Sequence, residues 1–197
     1  RTLTMTPNNH AVELYTHPDF KKGAPNSILF IGGVHGDEPE GVRLAQDLLN
    51  HLQTHDITRP WALIPCLNPD GFAKNSRVNA NGVDLNRNYP SSNWAAGFEK
   101  PEYNPGTHAA SEVEVAAAMS VINDTLPSVI IHFHSWEPCV VCTGEPGLPE
   151  AKALAEASGY NLQDHIGYPT PGSLSSVGWH DMNIPVICLE AQMGADL

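Results

Sequence analysis

The side chains best suited to chemistry sit at the ends of apolar runs. His35 and Glu38 lie three apart in His35-Gly-Asp-Glu38, directly after Ser27-Ile-Leu-Phe-Ile-Gly-Gly-Val34. His132-Phe-His134 closes a second apolar run and Glu190 a third. Imidazole and carboxylate are standard ligands of Zn2+, and a catalytic zinc site usually takes three protein donors and keeps a fourth position for water. Two donors from one short loop and a third from a distant strand would hold such an ion with one face open. His134 or His132 can supply the third donor, while Asp37 and Glu40 are rival carboxylates near the first two. Alone, His-x-x-Glu says little, because the helix macrodipole favours a Glu at a helix start in any case. Three strand ends carrying ligand or acid–base groups say more. The ten histidines, equal in number to all Lys and Arg together, point the same way.

Bringing these ends together requires strands laid side by side. The run 27–34 reads as a strand buried on both faces. Pro39 suits the first turn of a helix, after which Val42, Ala45, Leu48, Leu49 and Leu52 recur at helical spacing. Residues 61–67 read as another strand, Ser111 as the cap of an Ala-rich helix reaching Asn123, and 128–134 as a buried strand. A helix over 149–158 closed by Gly159 and a last strand over 184–189 follow. This alternation predicts an α/β fold with a mixed, largely parallel central sheet flanked by helices. Ligands of such sheets bind beyond the carboxyl ends of the strands. The stretch from Asn68 to Thr107 has almost no periodicity and is rich in Asn, Pro, Gly and Ser, which predicts a long functional loop. The 197 residues suit a single catalytic domain spanning 1–197.

Composition excludes several classes of function. A net charge of −12 argues against nucleic acid and anionic membrane as partners, since both call for clustered Lys and Arg. No apolar run approaches the roughly 20 residues that span a bilayer. Residues 1–9 lack the apolar stretch of a secretory signal. Four cysteines in a chain of this size read as thiols rather than disulfides, so a cytoplasmic location is expected. Cys139 and Cys142 form a C-x-x-C pair with no second pair to answer it, and read as small buried side chains rather than a zinc site.

Four motifs carry a family resemblance. Gly32-Gly-Val-His-Gly-Asp-Glu38 resembles the zinc loop of the M14 zinc metallocarboxypeptidases, and Gly82-Val-Asp-Leu-Asn-Arg-Asn-Tyr-Pro90 resembles their substrate motif. Phe133-His-Ser-Trp136 is similar to the segment bearing the third zinc ligand, and Val186-Ile-Cys-Leu-Glu190 to the strand with the catalytic glutamate. The resemblance implies one Zn2+ held by His35, Glu38 and His134, with Glu190 as general base and acid. It implies that Asn86 and Arg87 grip the terminal carboxylate of a small peptide substrate and that Arg77 polarises the scissile carbonyl. Zinc brings the pKa of bound water towards about 7, a carboxylate can carry that proton to the leaving amine, and a guanidinium beside an amide offers forked donors to a carboxylate.

Two positions depart from the digestive enzymes of that family. Asp37 stands where they carry an Arg, and the loop 170–179 holds no substrate-capping Tyr, with Tyr168 close by in sequence but unplaced. Gly167-Tyr-Pro-Thr-Pro-Gly-Ser173, together with residues 79–90 and Asn93-Trp94, instead resembles the bacterial murein tripeptide amidase branch. That branch implies cleavage of the γ-D-glutamyl–meso-diaminopimelate bond in cytoplasmic cell-wall peptides. The sequence stops seven residues after Glu190, where relatives continue into a closing helix, so the expectation is either a minimal branch or a chain from which that helix is missing. The rival readings are a zinc deacylase of small N-acyl amino acids resembling the aspartoacylase and succinylglutamate desuccinylase branch, a non-catalytic zinc-binding relative and a structural zinc protein. A second, co-catalytic metal near Asp37, His132 and Glu137 is not expected.

Overall fold

Nine strands and four helices alternate along the chain in a computed structural model that describes residues 1–195. In order they are β1 (Thr2–Met5), β2 (Ala11–Glu13), β3 (Tyr15–Thr16), β4 (Ile28–Ile31), α1 (Pro39–Thr54), β5 (Trp61–Ile64), α2 (Pro69–Lys74), α3 (Val113–Thr125), β6 (Val129–Trp136), β7 (Cys139–Thr143), α4 (Leu148–Ser158), β8 (Asn161–Gln163) and β9 (Val186–Gln192). β1 and β2 form a small antiparallel pair, and the other seven strands form one sheet in the order β3-β5-β4-β6-β9-β7-β8. The pairings of β4 with β5 and β6, of β6 with β9 and of β7 with β8 are parallel; β3–β5 and β7–β9 are antiparallel. The mixed, largely parallel sheet expected from the sequence is therefore present.

The central strands read as continuous apolar runs because helices cover both faces. Leu29, Ile31, Ile64 and Ile130 pack with Val115, Ala118 and Ile122 of α3, on one side. Their alternate neighbours Ile28, Leu63, Ile131 and Phe133 pack with Ala45, Leu49 and Leu52 of α1, on the other. This is the period-2 alternation of a strand meeting two separate apolar helix faces.

Several boundaries differ from the sequence expectation. Strand β5 ends at Ile64 rather than Leu67, and α3 is entered through Glu112 with no side-chain cap. Ser111 donates to the Glu112 carboxylate at 2.6 Å instead of capping. The long aperiodic stretch contains α2, capped by the Asn68 side chain accepting from Gly71 N–H, and two single 3₁₀ turns at Leu85–Arg87 and Pro101–Tyr103. Gly159 closes α4 in the left-handed conformation, as expected.

Two glycines set how closely the elements that matter for function approach. A Cβ on Gly36 would lie 2.0 Å from the Gly71 carbonyl carbon, so the loop after β4 lies directly on the backbone of α2. A Cβ on Gly41 would lie 2.6 Å from the Phe133 carbonyl oxygen, so the first turn of α1 touches β6 immediately before His134. A Gly41→Ala substitution is expected to push α1 off β6 and to destabilise the protein by about 1–3 kcal/mol. Urea unfolding would measure this, and zinc affinity is expected to fall in the same variant.

Candidate metal centre

The loop after β4 and the first turn of α1 carry the first two donors. Pro39 opens the helix and Glu38 occupies its N-cap position, but the Glu38 carboxylate makes no cap hydrogen bond. It turns instead towards His35 and His134. Glu38 Oε1 lies 2.8 Å from His35 Nδ1, Glu38 Oε2 lies 2.8 Å from His134 Nδ1, and the two Nδ1 atoms are 3.1 Å apart. All three side chains are buried. The structure thus brings together His35, Glu38 and His134.

The chemistry of this donor set tests whether a metal fits. His35 Nε2 faces Asp84 Oδ1 at 3.0 Å. A carboxylate only accepts, so Nε2 carries the proton and Nδ1 presents a lone pair. That lone pair faces a carboxylate and a second imidazole nitrogen. Three acceptors packed this closely need a cation among them, and bonds of about 2.0 Å to zinc give a tetrahedral edge of about 3.3 Å. The observed edges are a few tenths of an ångström shorter, and the group fits the ion. The histidine–carboxylate contact behind it is the usual device that fixes the tautomer of a metal-binding imidazole.

Protonation follows the same geometry. Burial alone would lower the His35 pKa, but the Glu38 and Asp84 carboxylates overcome it and raise it to about 9 in the metal-free protein. Burial would raise Glu38, yet His35 and His134 hold it well below the ordinary carboxylate range. Asp84 is depressed likewise, with His35 and Arg77 outweighing its burial.

His132, the alternative third donor, stands behind His134 rather than beside His35. Its Nδ1 lies 2.9 Å from His134 Nε2, where it can accept that ring's proton and leave His134 Nδ1 free. His132, His134 and Cys188 also fall within 4.8 Å of one another. That grouping has no carboxylate, and burial pushes the Cys188 thiol well above its usual range, opposing the thiolate a metal would need. Of the rival carboxylates, Glu40 is buried and accepts from Ser135 Oγ and Gly194 N–H, while Asp37 is exposed on the cleft wall; Glu137, weighed for a second metal, is exposed as well.

Glu190 sits opposite His134 in the parallel β6–β9 register. Its Oε1 accepts from Cys188 Sγ at 3.3 Å, and its buried Oε2 has no partner among the described residues. Burial raises its pKa. The same cleft, of about 590 Å³, is lined by Arg77, Asn86 and Arg87. Arg77 places Nε and Nη2 on Asp84 Oδ2 at 3.1 and 3.0 Å and reaches Glu38 Oε1 with Nη1 at 3.5 Å. Asn86 donates its N–H to Asp84 Oδ1, and its side-chain oxygen accepts from Leu174 N–H, which leaves its amide NH₂ as the group free to meet a ligand. Buried Arg87 donates Nη1 to the Asn86 carbonyl at 2.9 Å.

The seven residues given roles from the sequence, His35, Glu38, His134, Glu190, Arg77, Asn86 and Arg87, therefore reach one cleft. Two contributors were missed and a third was left unplaced. Asp84 lay inside a recognised motif but had no role assigned to it. Tyr103 lies in the aperiodic stretch and had no periodic signal. Tyr168, close in sequence to the substrate loop, is placed by the structure on the cleft wall, edge-on to Trp136 with centroids 6.1 Å apart.

A profile of the zinc carboxypeptidase family matches residues 7–144. The chain belongs to that family. Murein peptide amidase A of Escherichia coli strain K12 is 35% identical over 177 residues, covering 83% of this chain and 70% of that protein. The crystal structure of murein-tripeptide amidase from Escherichia coli O157 superposes with a TM-score of 0.81 at 28% identity, covering 98% of this chain and 82% of the other. Bovine thrombin-activatable fibrinolysis inhibitor shares the fold, with a TM-score of 0.78 at 16% identity over 98% of this chain and 79% of its own. As a zinc carboxypeptidase relative the protein is a zinc-dependent hydrolase. No helix among the described residues is long and apolar enough to cross a membrane, and all four cysteines are free thiols.

Two outcomes are expected. Asp84→Asn can still accept from Arg77 but offers His35 a weaker acceptor, so zinc affinity measured by chelator competition falls about 10–100-fold. In the metal-free protein the raised His35 pKa stabilises fully below pH 6.5 and is lost as pH rises through about 9. The depressed Glu38 pKa stabilises above pH 4.5 and is lost as pH falls. Burial also holds the His132 pKa well below 6.5, which removes stability as pH falls below 6.5, so chemical denaturation of the chelated protein should give highest stability near pH 6.5.

Proposed function

We propose that this chain is one catalytic domain that hydrolyses the γ-D-glutamyl–meso-diaminopimelate bond of murein peptides, using a single zinc ion on His35, Glu38 and His134. The reading rests above all on one juxtaposition. A buried three-acceptor cluster shares its cleft with a carboxylate, Glu190, whose Oε2 is unengaged. The murein substrate is drawn from the amidases that this chain resembles over most of its length. Free thiols agree with work in the reducing cytoplasm.

When bound, zinc supplies Lewis-acid polarisation and acidifies a water molecule towards neutrality. Glu190 then takes a proton on its free Oε2. Burial favours that protonated carboxyl, which then passes the proton to the leaving amine nitrogen. Arg77, braced on two N–H groups by Asp84, offers positive charge to the carbonyl oxygen as it becomes anionic. Arg87 and the Asn86 amide receive the α-carboxylate of the terminal diaminopimelate.

Release of diaminopimelate from the tripeptide, assayed beside release of acetate and succinate from N-acyl amino acids, tests the substrate. Diaminopimelate alone is expected, and acyl release without it would establish the deacylase instead. Glu190→Gln is expected to lower kcat/KM at least about 100-fold with zinc content unchanged. Chelation is expected to give a folded, inactive protein by circular dichroism, whereas a structural zinc protein would unfold.

A further inference from the structure

Arg77 and Arg87 are held very differently. Arg77 has a carboxylate on two of its N–H groups. Arg87, although buried, has only the carbonyl of its own neighbour Asn86 among the described residues. A long side chain with one such anchor would sample several rotamers. Its guanidinium also lies over an aromatic ring. The Arg87 guanidinium carbon lies 5.6 Å from the Tyr103 centroid, and that of Arg77 lies 5.3 Å from the same centroid. Both fall inside the roughly 6 Å range of cation–π attraction, which strengthens when the partners are withdrawn from water. Lys100 reaches the ring too, at 5.8 Å, but its ammonium is exposed and pairs with Glu102.

The ring is itself fixed in place. Tyr103 ends the 3₁₀ turn Pro101–Tyr103, and the next residue, Asn104, is bonded to the motif that carries the substrate groups. The Asn104 carbonyl accepts from Asp84 N–H at 2.8 Å, and its side chain donates to the Gly82 carbonyl at 2.9 Å. Two turns of the aperiodic stretch are thus tied together, with the phenol ring on the cleft wall.

We propose that Tyr103 is a positioning residue for substrate binding, its ring face fixing the Arg87 guanidinium where a terminal carboxylate arrives. This rests on the reading of Arg87 as the carboxylate clamp. The face of the ring acts, not the hydroxyl, and it acts on binding rather than on the bond-breaking step.

Kinetics of the zinc-loaded enzyme test this with two substrates, a peptide with a free terminal carboxylate and its terminal amide. Tyr103→Leu is expected to raise KM for the acid about tenfold, shrink the preference for acid over amide by the same factor and leave kcat within about twofold. Tyr103→Phe is expected to keep the wild-type preference. Arg87→Ala serves as the reference. Loss of preference in Arg87→Ala with full preference in Tyr103→Leu overturns the role of Tyr103 while the clamp stands. Preference kept in Arg87→Ala overturns the clamp and the Tyr103 role together. If Tyr103→Leu fails to fold, Tyr103→Phe still decides, because a lost preference there would assign the effect to the hydroxyl and refute a role for the ring face.

Discussion

A single buried carboxylate ties the metal side of the cleft to its substrate side. Asp84 receives His35 Nε2 and the Asn86 N–H on one oxygen and two N–H groups of Arg77 on the other. It is wholly buried, so its charge persists only because those donors compensate the desolvation. Take away that charge and three things change at once: the tautomer of His35, the placement of the 3₁₀ turn bearing Asn86 and Arg87, and the orientation of Arg77. Asp84 never faces the reacting atoms directly, yet it couples them. Such a network specifies one geometry because each member is satisfied only when the others are in place.

Around that hub the fold divides the labour. The sheet supplies His134 and the base, held opposite each other by backbone pairing, and the loop leaving β4 supplies His35 and Glu38. The irregular stretch supplies the cationic groups, where no ladder constrains them and side chains must do the fixing: Asp84 for Arg77, the Tyr103 ring for Arg87. Close backbone contact at Gly36 and Gly41 joins the two regions without spacer side chains.

Much of this was legible in the sequence, for definite reasons. Ile28–Ile31 and Val129–Ile131 announce themselves because strands covered on both faces must be apolar throughout. The donors followed from their placement straight after those runs. Tyr103 was not legible, since cation–π contact depends on how two turns fold together and not on any spacing. Spacing alone left His132 and His134 open, because both lie on one strand, and the family resemblance pointed to His134; in the structure it is the His134 ring that meets Glu38. The seating of β7, antiparallel to β9 and parallel to β8, is equally silent in its sequence, because Cys139-Val-Val-Cys142 would suit a buried strand of either direction.

His35 and His134 stand 99 positions apart along the chain, and Glu190 comes later still. Until the ribosome has passed His134, only two of the three chelating groups exist, and the set cannot close until β6 has docked on β4. Ion capture is consequently a late event in maturation, completed by non-local pairing of the slow kind that high contact order imposes. A cell lacking available zinc would then accumulate chains that have already found their topology and wait, assembled and inert, for the ion.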